Sequence, residues 1–458
     1  MTARMVCACV LTALLTPWVS AQSPLLLPAP PEPLPAEKSL PAEKAPAPAG
    51  ELTKVGGAWR EPIADVAPPA DSPPARTAGR FWLNNEVLMW WIQGMMSPEL
   101  VTTAPAGTPA GLAGVIGQPT TVTLFPTNPV DNNMRFGWRS TLGSWLDDEH
   151  RFAAELQFLL LASGGKQFSA ASDGTPGSLI LVRPVTNGVT NGRTAEPIAV
   201  PGQASGAIHI STSTSLIGAG FWFREQFCGC DDPCGTCKLC WGDGCNGNGC
   251  SSGVCSGWRC RFDSLFGYRY LRLADHLAID DTVTAQVALN GLAAGAQMQR
   301  SDRFDTHNTF HGIDIGVTGW LERGPWSLGT TAKVAIGALD SSADILGARV
   351  IGGVVTPNGL LAQPTNIGHF SRVHATGIPE LDLKFGYALR PNLRLYADYS
   401  FLYLFGVLRA GNQADINVDP AFLLTTAPTG VAPTRPSVTL QQRDIWVQGI
   451  SVGLVWSY

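Results

Sequence analysis

The stretch Trp326-Ser-Leu-Gly-Thr-Thr-Ala-Lys-Val-Ala-Ile-Gly337 decides the fold. Trp326, Leu328, Thr330, Ala332, Val334 and Ile336 recur at every second position, with Ser327, Gly329, Thr331, Lys333, Ala335 and Gly337 between them. On a helix both sets would be scattered around the surface, whereas successive side chains of a strand point to opposite faces. The segment therefore predicts a strand with one apolar face and one polar or small face. Leu393, Leu395, Ala397, Tyr399, Phe401, Tyr403 and Phe405 alternate in the same way with Arg394, Tyr396, Asp398 and Ser400. Phe152, Ala154, Leu156, Phe158 and Leu160 do so with Glu155 and Gln157.

Ten such segments follow Arg80, at 81–94, 133–146, 151–163, 207–226, 258–275, 304–321, 326–340, 371–389, 393–408 and 441–458. Long connections follow the odd-numbered segments. Short turns follow the second (Asp147 to His150), sixth (Glu322 to Pro325) and eighth (Arg390 to Asn392), and a Cys-rich insertion, 227–257, takes the place of the fourth. Long loops on one side and short turns on the other are the pattern of an outer-membrane barrel. In lipid every backbone polar group must be paired within the protein, so a closed antiparallel barrel is the alternative to helices. The expectation is an all-β chain: a single antiparallel transmembrane β-barrel of about 10 strands (12 if the long loops hide further hairpins), with long extracellular loops and short periplasmic turns.

Composition agrees. Of 458 residues, 50 are Gly, 35 are Pro and only 15% are charged, which is low for a soluble surface. With 31 Lys and Arg against 36 Asp and Glu, the net charge of −5 and the lack of a basic block set aside nucleic-acid binding. No stretch beyond the N-terminus reaches the roughly 18 to 20 apolar residues of a spanning helix. Residues 1–21 combine Arg4, an apolar run from Met5 to Leu15 and Val19-Ser-Ala21, the order of a secretory signal peptide. Residues 22–79 hold 14 Pro and the repeat Leu34-Pro-Ala-Glu-Lys38, Leu40-Pro-Ala-Glu-Lys44. They predict a disordered Pro/Ala-rich periplasmic linker of polyproline character before the barrel at 80–458.

At the C-terminus Ile450, Val452, Leu454, Trp456 and Tyr458 share one face, an aromatic-ended pattern of the kind that the barrel assembly machinery reads. Phe81, Trp82, Trp90, Trp91, Trp326, Trp446 and Trp456 suit aromatic girdles at the membrane interfaces. The segments Phe81-Trp-Leu-Asn-Asn-Glu-Val-Leu-Met-Trp-Trp91, Gly137-Trp-Arg-Ser-Thr-Leu-Gly-Ser-Trp-Leu146, Phe266-Gly-Tyr-Arg-Tyr-Leu-Arg-Leu273, Phe304-Asp-Thr-His-Asn-Thr-Phe310 and Trp446-Val-Gln-Gly-Ile-Ser-Val-Gly-Leu454 occur in this order. Together they resemble the planctomycete β-barrel porin-type family over residues 80 to 458. The resemblance implies an outer-membrane barrel in a planctomycete-like bacterium; it assigns no activity, and the Cys-rich insertion is not part of it.

Alternation turns Glu86, Arg135, Arg139, Glu155, Arg224, Arg261, Asp263, Arg269, Asp314, Lys333, Asp382, Lys384, Arg394 and Asp398 into the lumen. About eight strands leave an interior filled by side chains and about 16 to 18 an aqueous channel. Ten strands with balanced charges predict a lumen occluded by ion pairs, and a structural or interaction role at the envelope. A narrow porin-like channel for small solutes is the alternative. A third reading is a hydrolase or metal-binding rim, because His209, His276, His307, His311, His369 and His374 fall at the long-loop ends, with Asp275, Asp280, Asp281, Asp302 and Asp305 nearby in sequence. No nucleophile elbow, phosphate loop or zinc-protease motif supports it, so no enzyme activity and no cofactor are expected.

Cys228, Cys230, Cys234, Cys237, Cys240, Cys245, Cys250, Cys255 and Cys260 crowd the insertion. Their Gly- and Ser-rich spacing in an exported chain favours disulfides; the C-x2-C-x2-C run at 234, 237 and 240 leaves a metal site open. The count is odd, so at least one thiol is left to stay free or to join a disulfide-linked envelope neighbour. The other expected partners are outer-membrane lipid and the barrel assembly machinery.

Overall fold

The computed structural model describes residues 79–229, 259–425, 430 and 432–458. The expected signal peptide, the linker up to residue 78 and Cys230 to Cys255 lie outside these residues. Ten antiparallel strands, numbered in chain order, form the wall: β1 (Phe81–Ile92), β2 (Arg135–Trp145), β3 (Phe152–Gly164), β4 (Ala204–Gly229), β5 (Arg259–Ala285), β6 (Gln297–Arg323), β7 (Trp326–Ile351), β8 (Gly368–Arg390), β9 (Leu393–Leu408) and β10 (Gln442–Ser457). Each pairs with the next, and β10 pairs with β1 from Trp82↔Ser457 to Ile92↔Val447, so the ring is closed. Phe81 and Tyr458 exchange two backbone hydrogen bonds, of 3.0 and 2.9 Å, at this junction.

Closure pairs the backbone of the ring strand to strand, which is what lipid demands, except at the upper part of the β8–β9 junction, where the ladder stops at Glu380↔Leu402. Phe136, Phe158, Phe221, Phe266, Ile313, Ile336, Phe385 and Leu454 all project outward. Ile450, Val452, Trp456 and Tyr458 are on the same outward face as Leu454. This apolar outside explains why so few charges are needed. Two of the aromatics expected in the girdles face inward instead. Trp90 donates from its indole to Ser451 Oγ at 3.1 Å, and Trp82 packs on Trp145 with ring centroids 5.0 Å apart. Both sit at even positions of β1, the face that also carries Glu86.

Wall height is uneven. β4 to β8 have 23–27 residues and the other five 11–16, where a tilted strand needs roughly 9–11 to cross a bilayer. The sequence segments fall short of the upper ends of several tall strands: the sixth starts at 304, where β6 starts at Gln297, and the seventh stops at 340, where β7 runs to Ile351. Beyond the lipid-facing part the pattern reverses: in β6 Phe304 is buried inside while Arg303, Asp305 and His307 are outside. Period two persists, but its apolar set is now on the inner face.

The short strands carry the three longest connections, 93–134, 165–203 and 409–441. The expected extra hairpins exist, but most do not join the wall. Val101–Thr103, Val122–Phe125, Leu181–Asn187, Arg193–Ala199 and Asn417–Val418 form a separate five-stranded sheet, while Gln167–Ser172 pairs with β4. Leu100, Phe125, Leu181 and Ile198 pack against Ile208, Leu277, Phe304 and Ile345 on the inner faces of the tall strands. The long loops are thus a folded cap with its own core.

Candidate functional site: the barrel interior

Ladder register builds the interior. Directly opposed residues of an antiparallel pair share a face. Glu86 opposes Arg139, Lys384 opposes Asp398, Asp382 opposes Ser400 and Lys333 opposes Glu380. Arg139 joins Glu86 at 2.5 Å and Asp382 at 3.3 Å, and also bonds Asp398. Lys384 reaches Glu86 at 3.3 Å, and the Ser400 hydroxyl donates to Asp382 at 2.6 Å. Beside this group Arg269 joins Asp314 at 2.6 Å and Glu380 at 2.5 Å, while Lys333 joins Glu380 at 3.1 Å. Trp222 donates to Asp314 at 2.9 Å, and the Lys333 ammonium lies 4.7 Å from the same indole.

Toward the short-turn end Arg224 pairs with Glu155 at 3.1 Å and Arg261 with Asp263 at 2.7 Å. Arg261 also stacks on Trp145, 4.4 Å from the ring centre. Arg394, at the same end, pairs with Glu322 at 2.8 Å and is partly open to solvent. Toward the cap the charges give way to an apolar layer that includes Leu88, Leu159, Leu271, Phe310 and Leu402. Above it Arg135 donates to the carbonyls of Thr214 (2.5 Å) and Asp131 (2.9 Å), and Arg409 bonds Asp275. Arg135 therefore belongs to the cap's floor and not to the ring of pairs below.

A second buried ion cluster lies within the cap. Arg183 contacts Asp281 at 2.9 Å and Asp302 at 2.8 Å, and Arg300 contacts Asp281 at 2.9 Å and Glu196 at 3.4 Å. One oxygen of Asp302 accepts the N–H groups of Leu360, Leu361 and Ala362 at 2.8–2.9 Å. Glu196 accepts from the Leu424 N–H at 3.0 Å. Burial pushes the Glu196 carboxyl above its usual range, with Arg300 and the Leu424 N–H pulling the other way. Burial does the same to Asp131, against the Thr212 hydroxyl and Arg135.

Glu380, Arg183, Glu196, Arg300 and Arg409 were missed by the sequence reading, and Asp275, Asp281 and Asp302 were read there as loop neighbours of histidines. A signal existed for four of these eight, Asp275, Asp281, Arg300 and Asp302. Asp263, Arg269, Asp275 and Asp281 are six apart on β5, and Arg300, Asp302 and Asp314 share parity on β6, so each set shares a face. Glu196 and Arg183 come from short cap strands without such a run.

The six histidines are on strands and not on loops. His276 bonds Asp305 at 2.5 Å and His369 bonds Asp344 at 2.7 Å, both on the outward face of the tall wall. His307 lies beside Arg272 at 3.3 Å and His311 beside the Tyr268 hydroxyl at 2.5 Å. His209 bonds Ser169 at 2.8 Å and His374 meets Gln442 at 3.2 Å. Among the described residues no three His, Cys, Asp or Glu side chains converge as a metal site. Of the cysteines, Cys228 is the last but one residue of β4 and Cys260 the second of β5, and Cys260 is disulfide-bonded.

A closed ten-stranded wall with an apolar outside and a charged inside is now established, and residues 82–458 match the family described as beta barrel porin-7 (BBP7). The chain belongs to that family. As a porin-7 barrel it is an outer-membrane protein. No curated protein matches it. Among solved structures it is similar to the outer membrane protease OmpT of Escherichia coli (10% identity, 83% of this chain and 98% of that one, TM-score 0.35). It is similar also to the toluene transporter TodX of P. putida (10%, 83% and 90%, 0.19). A Pseudomonas aeruginosa FadL homologue matches at 10% identity over 82% and 90%, with a TM-score of 0.17.

Proposed function

We propose that this porin-7 barrel has no axial path for solutes and serves as a structural or interaction protein of the envelope, presenting its cap at the cell surface. The observation that carries this reading is the sequence of fillings along the barrel axis: paired charges, an apolar layer, a second set of charges and a cap core. A polar solute would have to break hydrogen-bonded ion pairs and then cross an apolar layer without partners, each step costing several kcal/mol. The cap's height above the membrane makes it the surface that meets a partner. The Pro-rich segment and the Cys-rich insertion, on the short-turn side, would face the periplasm, where a disulfide to an envelope neighbour is feasible.

No catalytic role is assigned. His276 and His369 are each turned onto an aspartate on the outside of the wall, and among the described residues no hydroxyl or thiol is bonded to either ring. Planar-bilayer recording of the full detergent-folded chain tests the proposal: silence is expected. Discrete conductance steps would replace it with the channel reading.

A further inference from the structure

The wall has a seam. The ladder between β8 and β9 runs from Arg390↔Leu393 to Glu380↔Leu402 and ends there, although β8 continues to Gly368. The cause is local. Pro379, next to Glu380, has no N–H to offer a ladder. On β9 the register shifts between Leu404 and Val407, at Gly406, whose φ of +69° favours glycine. β9 stays with β10 as it bends. Leu408 is then held from the inside by Asn308 of β6, which donates to its carbonyl and accepts its N–H, both at 2.7 Å. Beyond Glu380 a side chain bridges the strands: the Thr376 hydroxyl donates to the Phe405 carbonyl at 3.3 Å.

The seam lies at lipid height. On neighbouring β7 the outward residues remain apolar through Val334, Ile336 and Ala338, and the first outward charge is Asp340, opposite Val373. Residues 375–379 are therefore beside the upper part of the lipid-facing band. Directly behind the seam is a cavity of about 10 Å³ lined by Leu271, Phe310, Leu339, Ile378 and Val407, with Phe405 on its outer side. The polar groups at its edge, Asn308 and Thr376, are already engaged. That space is at the lower limit for one water and is lined mainly by apolar side chains, so it favours an apolar occupant.

We propose that this seam is a lateral entry for one hydrocarbon chain of a membrane lipid, whose tip passes Phe405 and lodges in the apolar layer inside the barrel. The mainly apolar lining favours an apolar occupant, and the apolar chains present at this height are those of the surrounding lipid. Phe405 is half exposed and edge-on to Tyr403, with centroids 4.7 Å apart, so it can swing outward without breaking a hydrogen bond. The pocket is a dead end: the ion pairs close it below and the cap above. The proposal adds a ligand to the envelope role and does not depend on the conductance result.

Photolabelling tests it. The full chain is reconstituted in phosphatidylcholine vesicles containing a lipid with a diazirine at the end of its acyl chain, irradiated and mapped by peptide mass spectrometry. Label on inward Leu271, Phe310 or Ile378, together with outward Ile336 and Phe385, is expected. Label confined to the outward residues would overturn the proposal. Filling the cavity with Leu339→Phe should lower inward label about tenfold relative to outward label; an unchanged ratio also overturns it. Should Leu339→Phe not fold, Val407→Leu makes the same test with a smaller volume change. Thr376→Val removes the side-chain bridge and should raise inward label, whereas a fall would count against the seam as the entry.

Discussion

Arg139 lies almost wholly out of solvent and holds three carboxylates, from Glu86, Asp382 and Asp398, on three different strands. Such a charge is tolerable because every neighbour compensates it; removing it leaves buried carboxylates without their partner. Arg139→Ala should therefore cost about 3–5 kcal/mol of unfolding free energy, read from urea unfolding of the detergent-folded barrel. Adding Glu86→Ala to it should cost less than the sum of the two single changes, because the sites are coupled. Additive losses would mean that the pair is not a network. Glu196 makes a prediction of the opposite kind. Its carboxyl is held above the ordinary range by burial, so the folded cap binds the proton better than the unfolded chain does. The resulting stability is complete below the ordinary carboxylate pKa and is lost as pH rises through the raised one. Amide exchange at Leu424, whose N–H reaches Glu196, should accelerate with pH by more than the intrinsic base-catalysed factor. In Glu196→Gln that excess should vanish.

At the scale of the strand, one alternation serves two environments. In β6, Ile313, Ile315 and Val317 face lipid while Asp314 faces in, and farther along Phe304 faces in while Arg303 and His307 face out. Ile313→Arg should cost about 2–4 kcal/mol if this position is near the bilayer midplane, measured by unfolding in lipid vesicles. A loss under half a kcal/mol would place the lipid band elsewhere on the strand. The ten wall segments were legible in the sequence because apolar-out alternation is strong where lipid is the solvent. Their upper ends were not, because there both faces mix apolar and polar residues: β5 carries Leu277, Ile279 and Asp281 inward and His276 and Asp280 outward. The lumen charges could be read from parity alone. Which charge meets which could not, since that depends on register across strands remote in sequence, as with Arg139 and Asp398.

For the whole molecule, the ring closes through β1 and β10, and the cap buries a core of its own against the tall strands. Closed barrels resist detergent until heated, so unboiled protein should run at a different gel position from boiled protein. Identical mobility, with the protein in the soluble fraction, would contradict the membrane assignment. Hydrogen exchange should divide the molecule: slow along the paired wall, faster at the cap sheet, whose strands are short. Uniform protection would mean that cap and wall open as one unit. The cap was the least legible part of the sequence. Its strands are two to seven residues long, too short for a periodic pattern to rise above the surrounding Gly, Thr and Pro.

The unequal height of the wall gives the molecule a bearing in the plane of the membrane. β4 to β8 stand as a tall rampart with His276, Asp305, Asp344 and His369 in one cross-strand row on its outer side, and the opposite half, from β9 through β3, is low. A neighbour approaching through the bilayer meets a polar parapet from one direction and the low strands from the other. Two copies drifting together would therefore not dock at random azimuths, and any lattice they formed in the membrane would inherit that compass.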